Sequence, residues 1–200
     1  MTTTTAPKQR SETAEQILDL AEMLIQTRGY SAFSYQDIAD SLGIRKASIH
    51  YHFPSKAELG IAVVDRYIAG FEAGLTAIAD DHAQSSMAML DFYVQPYLQF
   101  AATPDRVCLC GALSGELLAL PPELRGQVDH FFRTHQVWLT KILKRGVARG
   151  EFSLPAPAPK VARFIFAALQ GALLVKRATA DPTQLNDVIS VMKLQLAARA

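Results

Sequence analysis

The 200 residues carry 20 Lys+Arg against 19 Asp+Glu, a formal charge of +1, and are half hydrophobic. A chain of this size and composition buries a core of its own; it is neither a disordered tail nor a uniformly basic nucleic-acid coat, so any contact with DNA must come from a local patch. The two cysteines, Cys108 and Cys110, are too close in sequence for an ordinary structural disulfide, which excludes a secreted disulfide scaffold and points to a reducing cytoplasm.

Met1 to Arg10 is a Thr-rich polar arm without the apolar centre of an export signal. Its Lys8 and Arg10 are candidates for extra phosphate or minor-groove contacts. Val161 to Val175, the longest apolar stretch, is interrupted by Arg163 and Gln170 and falls short of the roughly 20 residues a membrane span needs. The expectation is a soluble, cytoplasmic protein with no membrane partner.

Helical periodicity runs almost end to end. Ile17, Leu20, Ala21, Leu24 and Ile25 make one apolar stripe, closed by Arg28-Gly29. Ser34, with Asp37 three residues on, opens a short helix whose Ile38, Ala39 and Leu42 face inward, and Gly43 stops it. A three-residue turn leads to Lys46–His52, ended by Phe53-Pro54. Ser55-Lys-Ala-Glu58 reads as a capping box for a helix running to about Ala79. Ser85 or Ser86 starts the next, with Pro96 as its kink.

After the break at Thr103-Pro104-Asp105, a short apolar helix is expected from Cys108 to Leu120, and a long amphipathic one from Glu123 to Arg149. A proline-rich connector (153–159) precedes Lys160–Lys176. Asp181, with Pro182 in the first helical position, opens a final helix to Ala198. The pattern predicts an all-α fold of about nine helices, divided into a flexible arm (1–10), a helix-turn-helix domain (11–56) and a larger helical domain (57–200).

The segment from Phe33 to Phe53 carries the most specific chemistry. Two short helices meet at Leu42-Gly43-Ile44, and Ile38, Leu42, Ile44 and Ile49 supply a shared core. That leaves Arg45, Lys46, Ser48, His50, Tyr51 and His52 outward or flanking. Between Ser41 and Ala57 there are three cations, Arg45, Lys46 and Lys56, and no acid. Arg and Lys pair with guanine or phosphate, and Ser and His hydrogen-bond base edges, so the second helix has the equipment of a major-groove reader.

The run from Ile17 to Leu59 closely resembles the N-terminal domain of TetR-family transcriptional regulators. The resemblance rests on A-x-x-L-I-x-x-x-G-Y, on D-I-A-D-S-L-G-I, and on K-A-S-I-H-Y-H-F-P-S-K-A-E-L. It implies a homodimer that binds double-stranded palindromic operator DNA, usually to repress, and releases it when a small-molecule effector enters the C-terminal domain. It further implies that Lys46, Ser48, His50 and Tyr51 face DNA while Ser34, Tyr35 and Lys56, at the starts of the second and fourth helices, hold phosphate. The commonly aromatic position at 50 is His in this chain.

Farther on, Cys108-Leu-Cys110-Gly-Ala-Leu-Ser-Gly-Glu116, then Leu120-Pro, is similar to a motif of the TetR branch that includes regulators of the NemR and AcuR type. Some of that branch sense electrophiles or small unsaturated acids, using a cysteine that falls at Cys108. A thiolate there needs a partner to lower its pKa, and Arg106 is the candidate; a small buried hydrophobe is the other reading of a free cysteine.

Pocket candidates are Tyr93, Tyr97, Phe100, Phe131, His135, Trp138, Phe166 and Gln170, of which His135 and Gln170 are the most informative because burying them without partners is costly. The last two helices carry Phe164, Ala168, Gly171, Ala172, Val188, Val191 and Leu194, a stripe that serves either a dimer interface or packing within one chain. No cofactor or metal is expected. Two other classes remain to be weighed: a Cys108–His135 acyl-transfer enzyme, and a helical adaptor that would leave the basic window unused.

Overall fold

A side-chain cap opens the first helix among the described residues. In the computed structural model, which describes residues 10–80 and 83–197, Ser11 Oγ accepts from Ala14 N (3.3 Å) and opens helix α1, Glu12–Arg28. The expectations for Lys8 in the arm and for Ala198 lie outside the described residues. Ser34 and Asp37 cap each other reciprocally at the start of α2, Tyr35–Leu42: Ser34 N donates to the Asp37 carboxylate at 2.7 Å and Asp37 N to Ser34 Oγ at 3.4 Å. Gly43 then takes the left-handed conformation (φ 64°) that lets the chain reverse into α3, Lys46–His52.

Ser55 opens α4, Lys56–Asp80, by accepting from Glu58 N (3.2 Å) and donating to the Glu58 carboxylate (2.9 Å). Ile17, Ile25, Ile38, Ile49 and Leu59 are fully buried where these four helices meet. At roughly 1.5–3 kcal/mol for each large apolar side chain buried, that small cluster fixes the angle between α2 and α3.

Ser85 caps α5, Ser86–Ala102, which contains Pro96. Next come α6, Leu109–Gly115, a single 3-10 turn, Leu117–Ala119, and the long α7, Pro122–Ala148. The helices α8, Ala158–Thr179, and α9, Gln184–Leu196, complete an all-α fold whose described residues form nine α-helices. α7 and α8 form the centre of the larger domain, with α4 and α5 against α7 and α9 against α8, and α6 wedged against α1, α4 and α7.

Three expectations change. The helix expected from Cys108 to Leu120 is interrupted at Glu116, whose backbone (φ −110°, ψ 14°) leaves the helical region. α9 starts at Gln184 rather than Pro182, because the Asp181 carboxylate accepts from Thr183 N and Oγ1 (both 2.9 Å), making a local turn instead of a helix cap. Finally, α8 is longer than its apolar run and, by length and composition alone, could cross a membrane. Packing against α5, α7 and α9 uses its Val161, Ile165, Leu169 and Leu173 in the protein core.

Candidate functional site

α3 is almost free of core duty. Only Ile49 among its residues is buried, while Lys46, Ala47, His50 and Tyr51 are exposed, Tyr51 at 82%. Arg45 stands exposed at the N-cap and Ser48 is half-buried. His50 Nδ1 donates to Pro54 O (3.2 Å), and its ring rests 4.8 Å from that of Tyr35. The helix therefore presents a cation, an imidazole and a phenol to solvent, a mixed donor and acceptor set suited to base edges and phosphates.

Two residues expected at phosphate are placed differently. Tyr35 is buried and its hydroxyl donates to Phe53 O (2.8 Å), tying α2 to the end of α3. Burial, then the nearby Glu58 and Tyr30, push its pKa well above that of an ordinary phenol. Lys56 turns inward: its ammonium donates to Phe33 O and lies 4.3 Å from the centre of the Phe33 ring and 4.9 Å from that of Tyr30. Ser34 Oγ is already engaged with Asp37, accepting from its N–H and donating to its carboxylate at 2.6 Å.

One carboxylate of the larger domain reaches the loop that leads into the reading helices. Glu116 accepts from the backbone N–H groups of Tyr30 (2.7 Å) and Ser31 (2.9 Å), which lie in the loop between α1 and α2. Burial pulls its pKa up, but the hydrogen bonds from Ser31 and Tyr30 and the charge of Lys56 outweigh that and hold it below the usual glutamate range. Gly29 (φ 98°) leaves room for this contact: a Cβ there would stand 2.4 Å from Glu116 Oε1. Alongside, Arg66 of α4 binds Glu15, Asp19 and Glu22 of α1 at 3.1, 2.6 and 3.1 Å.

Behind α6, the structure brings together most of the residues expected to line a pocket. The Tyr93 hydroxyl meets His135 Nδ1 (2.9 Å) and the Tyr97 hydroxyl (3.4 Å), and Gln170 Nε2 donates to Tyr97 (3.4 Å). Phe131 and Phe166 pack on the His135 ring, and Trp138 stacks on Tyr93 while its indole N–H donates to Leu75 O (2.9 Å). Burial pushes the His135 pKa down to about 3, so the ring is neutral, and its Nε2 is buried without a partner. Phe100 lies toward the edge, under the Arg106 guanidinium.

Sequence reasoning missed Tyr67 and Phe71 of α4, one turn apart, which close the chamber from the other side. Phe71 contacts both Phe131 and His135, and Tyr67 donates its hydroxyl to Cys108 Sγ (3.5 Å). Their four-residue spacing is visible in the sequence as an aromatic pair on one side of α4, which is equally the pattern of a core stripe. Arg106, the candidate partner for Cys108, instead binds Gln26 (2.7 Å) and approaches Glu22 (3.7 Å). Cys108 itself is buried and Cys110 is deeper still, its thiol pKa raised by burial and then by Cys108.

Comparison with known proteins meets this geometry at both ends of the chain. The family described as "Bacterial regulatory proteins, tetR family" matches residues 17–63, and the family described as "Tetracyclin repressor-like, C-terminal domain" matches residues 87–192. The chain belongs to the TetR family. The crystal structure of a TetR-family transcriptional regulator from Agrobacterium tumefaciens is 34% identical, with a TM-score of 0.86, over 92% of this chain and 97% of that one.

Among more distant TetR-family relatives, the transcriptional regulator AcuR of Cereibacter sphaeroides is 25% identical over 161 residues, 80% of this chain and 74% of that protein. The transcriptional repressor NemR of Escherichia coli K12 is 26% identical over 137 residues, 68% of this chain and 69% of that protein. The protein is thus a TetR-family DNA-binding transcriptional regulator and not an enzyme. The Cys–His pair weighed from sequence is not made: His135 Nδ1 is bound to Tyr93 and Cys108 takes its hydrogen bond from Tyr67.

The apolar stripe on the last two helices of this TetR-family chain divides. Ala172 is buried within the chain and Ala168, Gly171 and Val188 are half-buried. Phe164, Val191 and Leu194 are 57, 52 and 74% exposed.

Proposed function

We propose that this protein is a repressor that binds a palindromic operator in the cytoplasm as a homodimer and releases it when a small-molecule effector occupies the larger domain. The family supplies the DNA-binding activity, and NemR is itself described as a repressor. In this reading Arg45, Lys46, Ser48, His50 and Tyr51 meet DNA, with Ser34 at the phosphate edge, while Tyr35 and Lys56 hold the unit together. Phe164, Val191 and Leu194 meet their copies across a two-fold axis, with Ala168 and Gly171 allowing close approach. The dimer sets the two α3 helices about 34–36 Å apart, one turn of DNA.

One observation carries the coupling: the Glu116 carboxylate on the Tyr30 and Ser31 amides. α6 follows directly on Cys108, which is in contact with Tyr67 of the chamber, and is followed directly by Glu116 of this clasp. A ligand that re-packs the chamber moves α6, and α6 pulls on the loop that leads into α2. Coupling of this kind requires the ligand to prefer the form in which the two reading helices are misplaced for the operator. The domain division is placed at Lys56, so that α4 belongs to the helix-turn-helix unit at its start and to the effector domain beyond it.

Burial of Cys108 beneath Tyr67 supports reversible ligand binding over thiol modification. Fluorescence anisotropy with DNA from upstream of the protein's own coding region tests the whole reading, at two salt concentrations and before and after alkylation. Tight, salt-dependent binding that survives alkylation is the expected result. Loss of binding on alkylation shifts the sensor role to Cys108, and a helical adaptor would give no salt-dependent affinity.

A further inference from the structure

A cleft of about 390 Å3 lies between α4 and α5, lined by Tyr67, Gly70, Phe71, Gly74, Tyr93 and Phe100 among others. Gly70 and Gly74 sit one turn apart in the interior of α4, where each costs roughly 1 kcal/mol of helix stability relative to alanine. No close protein contact requires either of them. A Cβ at Gly70 would meet nothing within 4 Å, and one at Gly74 would make only ordinary contact with the Phe92 ring at 3.7 Å. Both glycines line the cleft, and neither puts a side chain into it.

The charges at its mouth are spent on one another. Arg66 lines the cleft and is bound to Glu15, Asp19 and Glu22; Glu22, also at the cleft, is held by Arg66 and Arg106. Neither a carboxylate nor an ammonium finds an uncommitted counter-charge among these lining residues. The remaining walls are aromatic or aliphatic, with Pro96 and Gln99 at the rim.

Behind one wall lies a buried ring nitrogen without a hydrogen-bond partner, His135 Nε2. The Gln170 amide nitrogen donates to Tyr97, and the two contacts beyond it are open to either direction; in the head-to-tail arrangement Tyr97 O–H donates to Tyr93 and Tyr93 O–H to His135 Nδ1. The neutral imidazole then carries its proton on Nε2, the atom that is buried and unpartnered. Phe71 is the partition: its half-buried ring lines the cleft on one side and packs 5.2 Å from the His135 ring on the other.

We propose that this cleft takes an uncharged, ring-bearing small molecule with a hydrogen-bond acceptor such as a ketone carbonyl. Its ring occupies the space over Gly70 and Gly74, and its acceptor, as Phe71 turns aside, meets the Nε2–H of His135. The proposal rests on the effector reading above and names the chemistry of that effector. The cleft is at the small end of ligand sites, which run from roughly 300 to 1,000 Å3, and suits a molecule of about a dozen heavy atoms.

Calorimetry with the full-length protein and four probes tests it. The neutral ketone 2-acetylnaphthalene binds, 2-ethylnaphthalene, which lacks the acceptor, binds about tenfold more weakly, and 2-naphthoate and 2-naphthylmethylammonium give no measurable heat. Gly70→Leu fills the cleft and abolishes ketone binding, whereas Gly70→Ala, a helix-favouring control, retains it. His135→Phe brings the ketone and the hydrocarbon to equal affinity.

Tighter binding of either ion than of the ketone, undiminished binding by Gly70→Leu, or no binding of the ketone overturns the proposal. Operator affinity of the probe-free protein is measured separately. Operator binding without ketone binding condemns only this ligand class, while absence of operator binding condemns the regulator reading, whatever the cleft accepts.

Discussion

The carboxylate of Glu116 accepts the backbone N–H of Tyr30 at 2.7 Å, across 86 residues of chain. Its second oxygen takes the N–H of Ser31, so two amides that head the approach to α2 are satisfied by a side chain of the other domain. Hydrogen bonds to a charged group contribute about 1.5–3 kcal/mol where they are shielded from water, more than a surface ion pair supplies. The C-terminal end of α6 therefore holds the loop before α2 by its backbone, in addition to the apolar packing of α6 against α1.

Loss of this clasp has a two-part signature. Glu116→Ala is expected to lower unfolding stability by about 1–2 kcal/mol, at the low end for charged hydrogen bonds because the site is only partly shielded. It also blunts the effector's influence on operator affinity, read by chemical denaturation and by anisotropy with and without ligand. Gly29→Ala gives an independent view. Its φ of 98° and the 2.4 Å approach to Glu116 predict about 1–3 kcal/mol of destabilisation from backbone strain, before any loss of the clasp itself.

Two lysines ten positions apart are expected to behave oppositely. Lys46→Ala removes an exposed cation from α3 and weakens operator binding, lowering the salt slope by about one if it meets phosphate. Lys56→Ala instead removes an ammonium packed on Tyr30 and Phe33, and its main effect is a loss of about 1 kcal/mol of stability. Anisotropy across a salt series and thermal melts of both variants check this. A drop in salt slope for Lys56→Ala with unchanged melting would put that side chain on DNA.

Stability should fall as the solution is acidified well before the carboxylates titrate. His135 is neutral in the fold with a pKa of about 3, against about 6.5 unfolded, so between those values the unfolded chain binds the extra proton. The sign is positive: stability rises with pH through this window and is lost as pH falls below 6.5, by at most about 1.4 kcal/mol per pH unit. Glu116 and Asp37, both held below their usual ranges, add to the loss only under more acidic conditions. Denaturation curves at pH 7, 6 and 5 give the slope, and His135→Phe is expected to flatten it.

The exposed stripe on α8 and α9 predicts an association defect without a folding defect. Leu194 is 74% exposed in the single chain, so Leu194→Glu disturbs little of the internal core. In a dimer it would bury two like charges against apolar surface. Sedimentation should show a shift toward monomer with an unchanged circular-dichroism spectrum, and operator affinity should drop because each half-site is then bound alone.

Much of this protein was written in short-range chemistry. Ser34 with Asp37, Gly43, Ser55 with Glu58, and Ser85 each act within four residues, so their caps and turns were readable from spacing, and the outward face of α3 followed from the few positions its core needs. His135 and Gln170 stood out for the same reason, as polar residues in apolar stripes. What tertiary structure alone decided is where distant groups compete for one partner. Glu116 leaves the helix expected through it because the amides of Tyr30 and Ser31 offer its carboxylate two bonds.

Lys56 turns inward because Phe33 supplies both a carbonyl and a ring, and Tyr67 and Phe71 join the chamber only because α4 crosses α7 at their level. Local hydrogen bonds and periodicity are properties of a segment, so a sequence states them directly. The partner of a charge or a ring is fixed by how whole helices pack, and that is settled only when the apolar faces of all of them are buried together.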